Sequence, residues 1–396
     1  MRIAYFADNF YPEISGISDS IITTGEELRK RGHEVVYVAP WYGKKEFKPA
    51  RRYDEHKKLI HDIREDLPVR RVPSLPFPNS PTGQSRIAMP FGFTLPFMRR
   101  FKPDIIHSQA PHGVGLEALY AALALDVPLV GTEHTPVEEF FHYSPAVAAT
   151  FGAQWLRWER WYYNRCRFVT APYQGLIDEM RKRGLRAEGR AQANPVPFES
   201  IVSTAEQKAA CRSAFDMKGP VILVSGRLAP EKKVDIVLRA FAQVLAEFPD
   251  ATLVVTGHGS SERSLKNLAK GLQIDKNVQF VGFVNAAALQ QLYCTADVYA
   301  IMSTAETQSL SLMQGFASGV PAVCARARGL VEYCPSDCGF LVEPDNVGAL
   351  AEKLKLVLED HDLRARMGAR GVEFVKRFTP EKVAEQWEEI YKSVIL

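Results

Sequence analysis

Residues 220–238 read PVILVSGRLAPEKKVDIVL. Val221 to Val224 form an uninterrupted apolar run of strand length, Gly226 and Pro230 break it, and apolar residues then recur at helical spacing through KVDIVLRAFAQVLAEFP, residues 233–249. The same strand, turn and helix succession follows downstream, with strands expected at TLVVTG (252–257), VQFVGF (278–283) and VYAIMS (298–303). Upstream, RIAYFAD (2–8) and EVVYVAP (34–40) flank a helix, GISDSIITTGEELRKRG, whose apolar positions are Ile17, Ile21, Ile22 and Leu28. Strands at DIIHSQ and PLVGTEH enclose the helix-like GVGLEALYAALALD, and RFVTAP follows a long aromatic helix. Strand and helix alternate in this way in parallel sheets, and the pattern starts twice. Two α/β domains with doubly wound sheets are therefore expected, over residues 1–195 and 196–375, joined near the turn-rich AQANPVPFES (191–200). The closing segment, 376–396, carries a Thr-Pro helix start and one apolar stripe that could pack on either domain, and packing back on the N-terminal domain is the expectation.

A chain of 396 residues exceeds one ordinary core, which agrees with two domains. No window reaches the roughly 18 consecutive apolar residues of a membrane span, and MRIAYFAD has neither a basic start nor a long apolar stretch. A cytoplasmic protein is expected. The six cysteines are scattered without a Cys-x-x-Cys pair or a His cluster, so free thiols are expected and a metal centre is not. Residues 1–198 carry 27 Lys+Arg against 22 Asp+Glu, and the remainder 22 against 24. A basic first half suits contact with anionic phosphates or with an anionic membrane surface, on the inner face for a cytoplasmic protein. The charged run at 44–66 reads as a solvated segment, and no nucleic-acid partner is expected.

Ligands of open α/β sheets lie beyond the carboxyl ends of the strands, and four loops there are unusual. In NFYPEISGIS (9–18), Ser15-Gly16 precedes a helix start, where glycine permits close approach to backbone N–H groups or simply makes a turn. In GTEHTPVEEF (131–140), Glu133, His134 and Thr135 end a strand, with His134 open to a chemical or a structural role. In VSGRLAPEKK, Arg227 and Lys232 stand just before a helix N-terminus, two cations suited to a diphosphate. In STAETQSLSLMQGFASGVPAV (303–323), backbone from Thr304 to Leu310 can offer N–H groups to an anion and Glu306 can accept hydrogen bonds from hydroxyls, or act as a helix cap.

Taken in order, YPEISGIS, RKRGHEV, PDIIHSQ, EHT, GRLAPEKK, TGHG, VGFV, AETQSLSLMQGFASGVPAV and the closing helix resemble the retaining nucleotide-sugar glycosyltransferases of glycosyltransferase family 4. The resemblance spans nearly the whole chain. It implies the GT-B architecture, α/β, with two Rossmann-like doubly wound domains facing across a cleft and the donor held mainly by the C-terminal one. By the same resemblance, Arg227 and Lys232 match the cations on the donor diphosphate, Glu306 the first acid of the Glu-x7-Glu motif, and Thr307, Gln308, Ser309 and Leu310 the backbone around sugar and phosphate. Gly16 matches the loop glycine near the donor phosphate, His134 a histidine near the reacting sugar, and Phe283 and Val284 the segment beside the nucleotide base. Four positions depart from the pattern: Gln314 replaces the second acid, Lys233 a common glycine, Ser15 the first of a frequent glycine pair, and Gln109 a frequent histidine. An amide at 314 still accepts and donates hydrogen bonds to ribose hydroxyls.

The implied chemistry needs no cofactor, with the nucleotide diphosphate sugar as a substrate. Negative charge on the leaving diphosphate is met by fixed cations and helix-end N–H groups without a divalent metal. The one Asp-x-Asp, Asp360-His361-Asp362, sits in the charged helical stretch LEDHDLRARM and reads as a solvated turn. Retention is implied by same-face attack, with Glu306 orienting the sugar. The acceptor is expected from VRRVPSLPFPNSPTGQSRIAMP (69–90) and EHTPVEEFFHYSP (133–145), which look most like the branch that glycosylates diacylglycerol or related lipids. Trp155, Trp158, Trp161 and Tyr162 with Arg157, Arg160 and Arg165 would make either an interfacial surface or an ordinary amphipathic helix. The rivals are a glycan or small-molecule acceptor, a nucleotide-sugar 2-epimerase, and a nucleotide-sugar-binding protein without turnover.

Overall fold

The computed structural model describes residues 1–13, 15–43, 67–76, 86–134, 145–196, 204–215 and 217–395, with side chains 145–148 and 205 excepted. Expectations placed on the charged run 44–66, on Thr135, on 77–85 and 135–144 of the acceptor segments, and on 197–200 of the joining turn lie outside the described residues. The chain forms two compact units, Met1–Pro195 with Pro380–Leu396, and Val196–Thr379. The second unit thus runs to 379, four residues beyond the boundary expected from the sequence at 375.

In the first unit the strands are β1 (Arg2–Phe6), β2 (Glu34–Pro40), β3 (Val69–Val72), β4 (Ser74–Pro76), β5 (Arg86–Ala88), β6 (Ile105–Ser108), β7 (Leu129–Thr132), β8 (Phe168–Ala171) and β9 (Glu188–Ala191). Seven of them form one parallel sheet in the order β3-β2-β1-β6-β7-β8-β9, and β4 and β5 pair separately as a two-stranded antiparallel sheet. Helix Pro380–Ile395 contributes Val383, Trp387, Ile390 and Tyr391 to the same core as Ile3, Tyr5 and Tyr37. A buried polar chain fastens it there. Tyr391 Oη lies 2.8 Å from both Tyr5 Oη and His107 Nδ1, and His107 Nε2 lies 2.7 Å from Thr132 Oγ1. Outside that core, Arg31 and His33 both hold Glu388, at 2.7 and 2.9 Å.

The second unit holds β10 (Val221–Ser225), β11 (Thr252–Thr256), β12 (Val278–Gly282), β13 (Val298–Ile301), β14 (Ala322–Ala325) and β15 (Gly339–Val342), all parallel, in the order β12-β11-β10-β13-β14-β15. Helix Val234–Val244 buries Val234, Val237, Leu238, Phe241 and Val244, one apolar stripe laid along the sheet side. In each sheet the first strand has its successor on one side and a later strand on the other. Connections from such a pair leave over opposite faces, so a crevice opens beyond their carboxyl ends, at β1/β6 in one unit and β10/β13 in the other.

Candidate active site

At the β10/β13 crevice Ser225, Gly226, Arg227, Lys232, Tyr299 and Glu306 line one recess. The loop carrying Arg227 is held by backbone contacts to the TGHG segment: Gly226 N donates to Thr256 O at 3.2 Å and Leu228 N to His258 O at 2.9 Å. The two segments run so close that a Cβ on Gly257 would overlap the Gly226 carbonyl, and one on Gly259 the Leu228 carbonyl. A 3-10 turn, Pro230–Lys232, then aims Lys232 at Glu306, and the two form a short charge-assisted hydrogen bond.

The cations expected to meet a diphosphate are therefore each paired. Arg227 Nη2 donates to Glu231 Oε1 at 2.6 Å, and Glu231 also receives Thr304 N on its backbone oxygen at 3.2 Å. Glu231 carries no signal in the sequence because an acid four residues after an arginine is ordinary in a solvated loop. Lys233 adopts φ 48° and ψ 42°, the left-handed region, which gives the physical reason for a glycine being common there. Its Nζ reaches Asp345 at 2.6 and 2.8 Å.

Beyond β13 the chain turns through Ser303 to Ser309 and enters helix Leu310–Ala317, capped by Ser309 Oγ on Leu312 N at 3.3 Å. Tyr299 ties this helix start to the end of β10: its hydroxyl donates to Ser225 O at 3.0 Å and lies 2.8 Å from Ser311 Oγ, which is 3.0 Å from Ser309 Oγ. Gln308 and Ser309 are buried, whereas Thr307 is partly exposed and Glu306 O receives Gly329 N at 2.9 Å. Gln314 is partly exposed on the helix and is not among the recess-lining residues. Phe283 and Val284 also lie outside the lining, between β12 and the helix Ala286–Thr295 that Asn285 caps. They share the carboxyl edge of the sheet but stand two strands away from the recess.

In the first unit Gly16 opens helix Gly16–Lys30, exposed, with Ser15 Oγ accepting Ser18 N at 3.1 Å. His134 follows β7, buried, with Nε2 2.6 Å from Gln109 Oε1, and burial lowers its pKa to about 4. It is neutral at physiological pH. Asp8, which the sequence does not single out, sits just past β1, buried, with Oδ1 accepting Val114 N at 2.9 Å and Oδ2 without a partner among the described residues. Burial outweighs the Val114 and Gly115 N–H groups and raises its carboxyl to about 7, with Glu13 adding repulsion. A carboxyl that holds its proton more tightly in the folded state than in the unfolded one makes folding less favourable as pH rises from the ordinary pKa to the folded one. Stability of the first unit is thus expected to fall as pH rises from about 4 to about 7. In Asp8→Asn that pH-dependent component should vanish from thermal melts.

Helix Pro145–Tyr163 divides its aromatics. Tyr162 is fully buried, its hydroxyl donating to Gly115 O at 2.7 Å and lying 2.7 Å from Ser108 Oγ, while Trp155 and Trp161 are exposed. Arg165 lies over the Trp161 ring at 3.8 Å. Asp360 caps helix His361–Val375, its Oδ1 accepting Leu363 N at 2.8 Å, with His361 and Asp362 exposed. No helix among the described residues is long and apolar enough to cross a membrane.

Residues 14–196 match the family model described as Glycosyltransferase Family 4, and residues 206–374 the model described as Glycosyl transferases group 1. The chain is 30% identical over 364 residues to the alpha-monoglucosyldiacylglycerol synthase of Streptococcus pneumoniae, covering 89% of this chain and 78% of that protein. It is also 30% identical over 351 residues to the GDP-mannose-dependent alpha-mannosyltransferase of Mycolicibacterium smegmatis, covering 87% and 85%. The crystal structure of Anabaena HepE in complex with UDP and glucose shares the fold, with a TM-score of 0.77 at 21% identity over 99% of this chain and 100% of that one. The chain belongs to glycosyltransferase family 4, with the GT-B fold, and is a glycosyltransferase that draws its sugar from a nucleotide sugar.

Proposed function

We propose that this glycosyltransferase moves a hexose, with retention of anomeric configuration, from a nucleotide diphosphate sugar to a hydroxyl of a membrane glycerolipid such as diacylglycerol. The observation that carries the donor half is the Lys232–Glu306 pair beside Arg227 at the β10/β13 crevice. An ammonium has three donor positions, and Glu306 takes one of Lys232's, so the same group can also donate to a phosphate oxygen. The second carboxylate oxygen of Glu306 suits a sugar hydroxyl. When the anomeric C–O bond breaks, its electron pair leaves on the diphosphate, where Lys232, Arg227 and the N–H groups at Ser309 and Leu310 meet the charge. The acceptor hydroxyl attacks from the face being vacated, its proton passing to the departing phosphate oxygen. Thr307 and Gln308 line the sugar's side, while Gly16 approaches the phosphate and Gln314, Phe283 and Val284 belong to the nucleoside. No divalent metal is required by this scheme.

The glycerolipid acceptor is supported by the diacylglycerol-acting relative and by the basic balance of the first half, which suits a protein bound peripherally to an anionic membrane. The mannosyltransferase relative favours a second reading, the same transfer from another hexose donor to a glycan or small molecule. Incubation of the protein with UDP-, GDP-, ADP- and TDP-hexoses, with diacylglycerol liposomes or soluble acceptors, separates them. One donor is expected to deliver sugar to the lipid phase, equally well in EDTA, with its anomeric configuration kept. Transfer to soluble acceptors alone would support the second reading. A rearranged free sugar, or saturable donor binding with no product, would overturn both.

A further inference from the structure

Gln109 and His134 follow β6 and β7, adjacent parallel strands paired through Ile106, His107 and Ser108. The side chains meet at 2.6 Å, Gln109 Oε1 to His134 Nε2, with both residues buried. Gln109 is not loose: its backbone N–H donates to Phe6 O at 2.8 Å, anchoring it to β1. An amide oxygen only accepts, so the imidazole brings its proton on Nε2 and keeps a lone pair on Nδ1. Nδ1 has no partner among the described residues.

We propose that Gln109 is a positioning residue for transfer: its carbonyl oxygen holds His134 as the neutral Nε2–H tautomer and so presents Nδ1 as a hydrogen-bond acceptor to a hydroxyl of the reacting sugar. The proposal rests on the transfer proposed above and on the resemblance by which His134 matches a histidine near the reacting sugar. Burial keeps the ring uncharged, with its pKa lowered to about 4, so Gln109 selects between neutral tautomers and does not suppress a cation. The titratable group that interacts with His134 is His107, whereas Glu133 interacts with Tyr163. His107 on β6 has both ring nitrogens engaged, by Tyr391 and Thr132, and is itself held neutral by burial. Glu133 precedes His134 in the chain and is buried.

The test compares wild type, Gln109→Met, Gln109→Glu and His134→Ala, reading kcat and KM against pH and the protonation of the imidazole nitrogens by long-range nitrogen–proton NMR of histidine-labelled protein. Wild type is expected to carry its proton on Nε2. In Gln109→Met, which keeps the side-chain volume, the two tautomers should mix and kcat fall by up to ~10²-fold, with the donor KM little changed. In Gln109→Glu the carboxylate favours the imidazolium and raises the His134 pKa. Nδ1 then carries a proton at low pH, so kcat should gain an acidic limb absent from wild type and recover as pH rises. A merely structural Gln109 would lower the melting temperature without adding that limb. A proton on Nδ1 in wild type, or a Gln109→Glu profile that superimposes on wild type, overturns the proposal while leaving the role of His134 standing. Full activity in His134→Ala would instead sink that role, and the proposal with it.

Discussion

Lys232→Ala is expected to lower kcat by roughly 10²–10³-fold, the usual cost of removing one fixed group that meets charge developing on the leaving atoms. The structure adds a second consequence. Lys232 and Glu306 are 24% and 13% exposed and directly paired, so alanine at 232 leaves a mostly buried carboxylate without its cation. Removing one member of a buried pair costs more than removing both, because the survivor keeps its desolvation penalty. Lys232→Ala should therefore melt lower than wild type, and adding Glu306→Ala should restore part of the loss. Under the role proposed for the pair, activity should follow the opposite logic, staying low in both single variants and in the double. Kinetics and melting of the four proteins in one double-mutant cycle check this. A double variant that regained activity together with stability would show that the pair only holds the loop in shape.

The strands legible in the sequence are apolar runs with turn residues at their ends, and burial alone does not decide it: the edge strand β12 (VQFVG) is legible, whereas the buried β14 (AVCA), four residues long, is not. Val221 to Val224 and Val298 to Ile301 carry no charge and bound their own ends, and they lie in the middle of the sheet. Strands β3 (VRRV) and β9 (EGRA) gave no such signal because charged residues interrupt them, at sheet edges where such side chains reach water. The three-residue strands β4 and β5 are too short for any period to register. For the site, Arg227, Lys232 and Glu306 could be singled out as residue types beyond strand ends, yet not as partners. Lys232 and Glu306 are brought together only by the adjacency of β10 and β13, a non-sequential neighbour relation. Gln109 and His134 illustrate the same limit, since the sequence marks both as strand-end residues and the β6/β7 register makes them one unit. The unpaired oxygen of Asp8 was beyond reach altogether, because it depends on how Gly113 and Val114 close over the end of β1.

Asp297→Ala should produce the largest loss of stability in the second unit, about 3–5 kcal/mol, with little effect on the chemistry. Asp297 is buried and stands at the amino ends of β10 and β13, the edge opposite the recess. Its Oδ2 accepts Arg212 Nη2 and the Val221 N–H, the latter at 2.8 Å, while Oδ1 accepts Lys208 Nζ at 3.0 Å and faces Arg364 Nε at 3.6 Å. Burial by itself would raise this carboxyl, but Lys208, Arg212 and the Val221 N–H outweigh it and hold it below its ordinary range. A depressed carboxyl contributes stability that is present above its ordinary pKa and lost as pH falls through the folded value. Wild type should thus lose this contribution in acid, and Asp297→Ala should lose it at every pH, its melting curve flattening over that window. The alanine leaves the cations facing one another and a buried N–H with no acceptor, which is why the cost exceeds that of a surface ion pair. Assays at low temperature, where the variant remains folded, should return kcat close to wild type because Arg227, Lys232 and Glu306 lie at the other end of the strands. A collapse of kcat in the folded variant would mean that strain crosses the sheet from its amino to its carboxyl edge, and that the two ends cannot be treated as separate in their energetics.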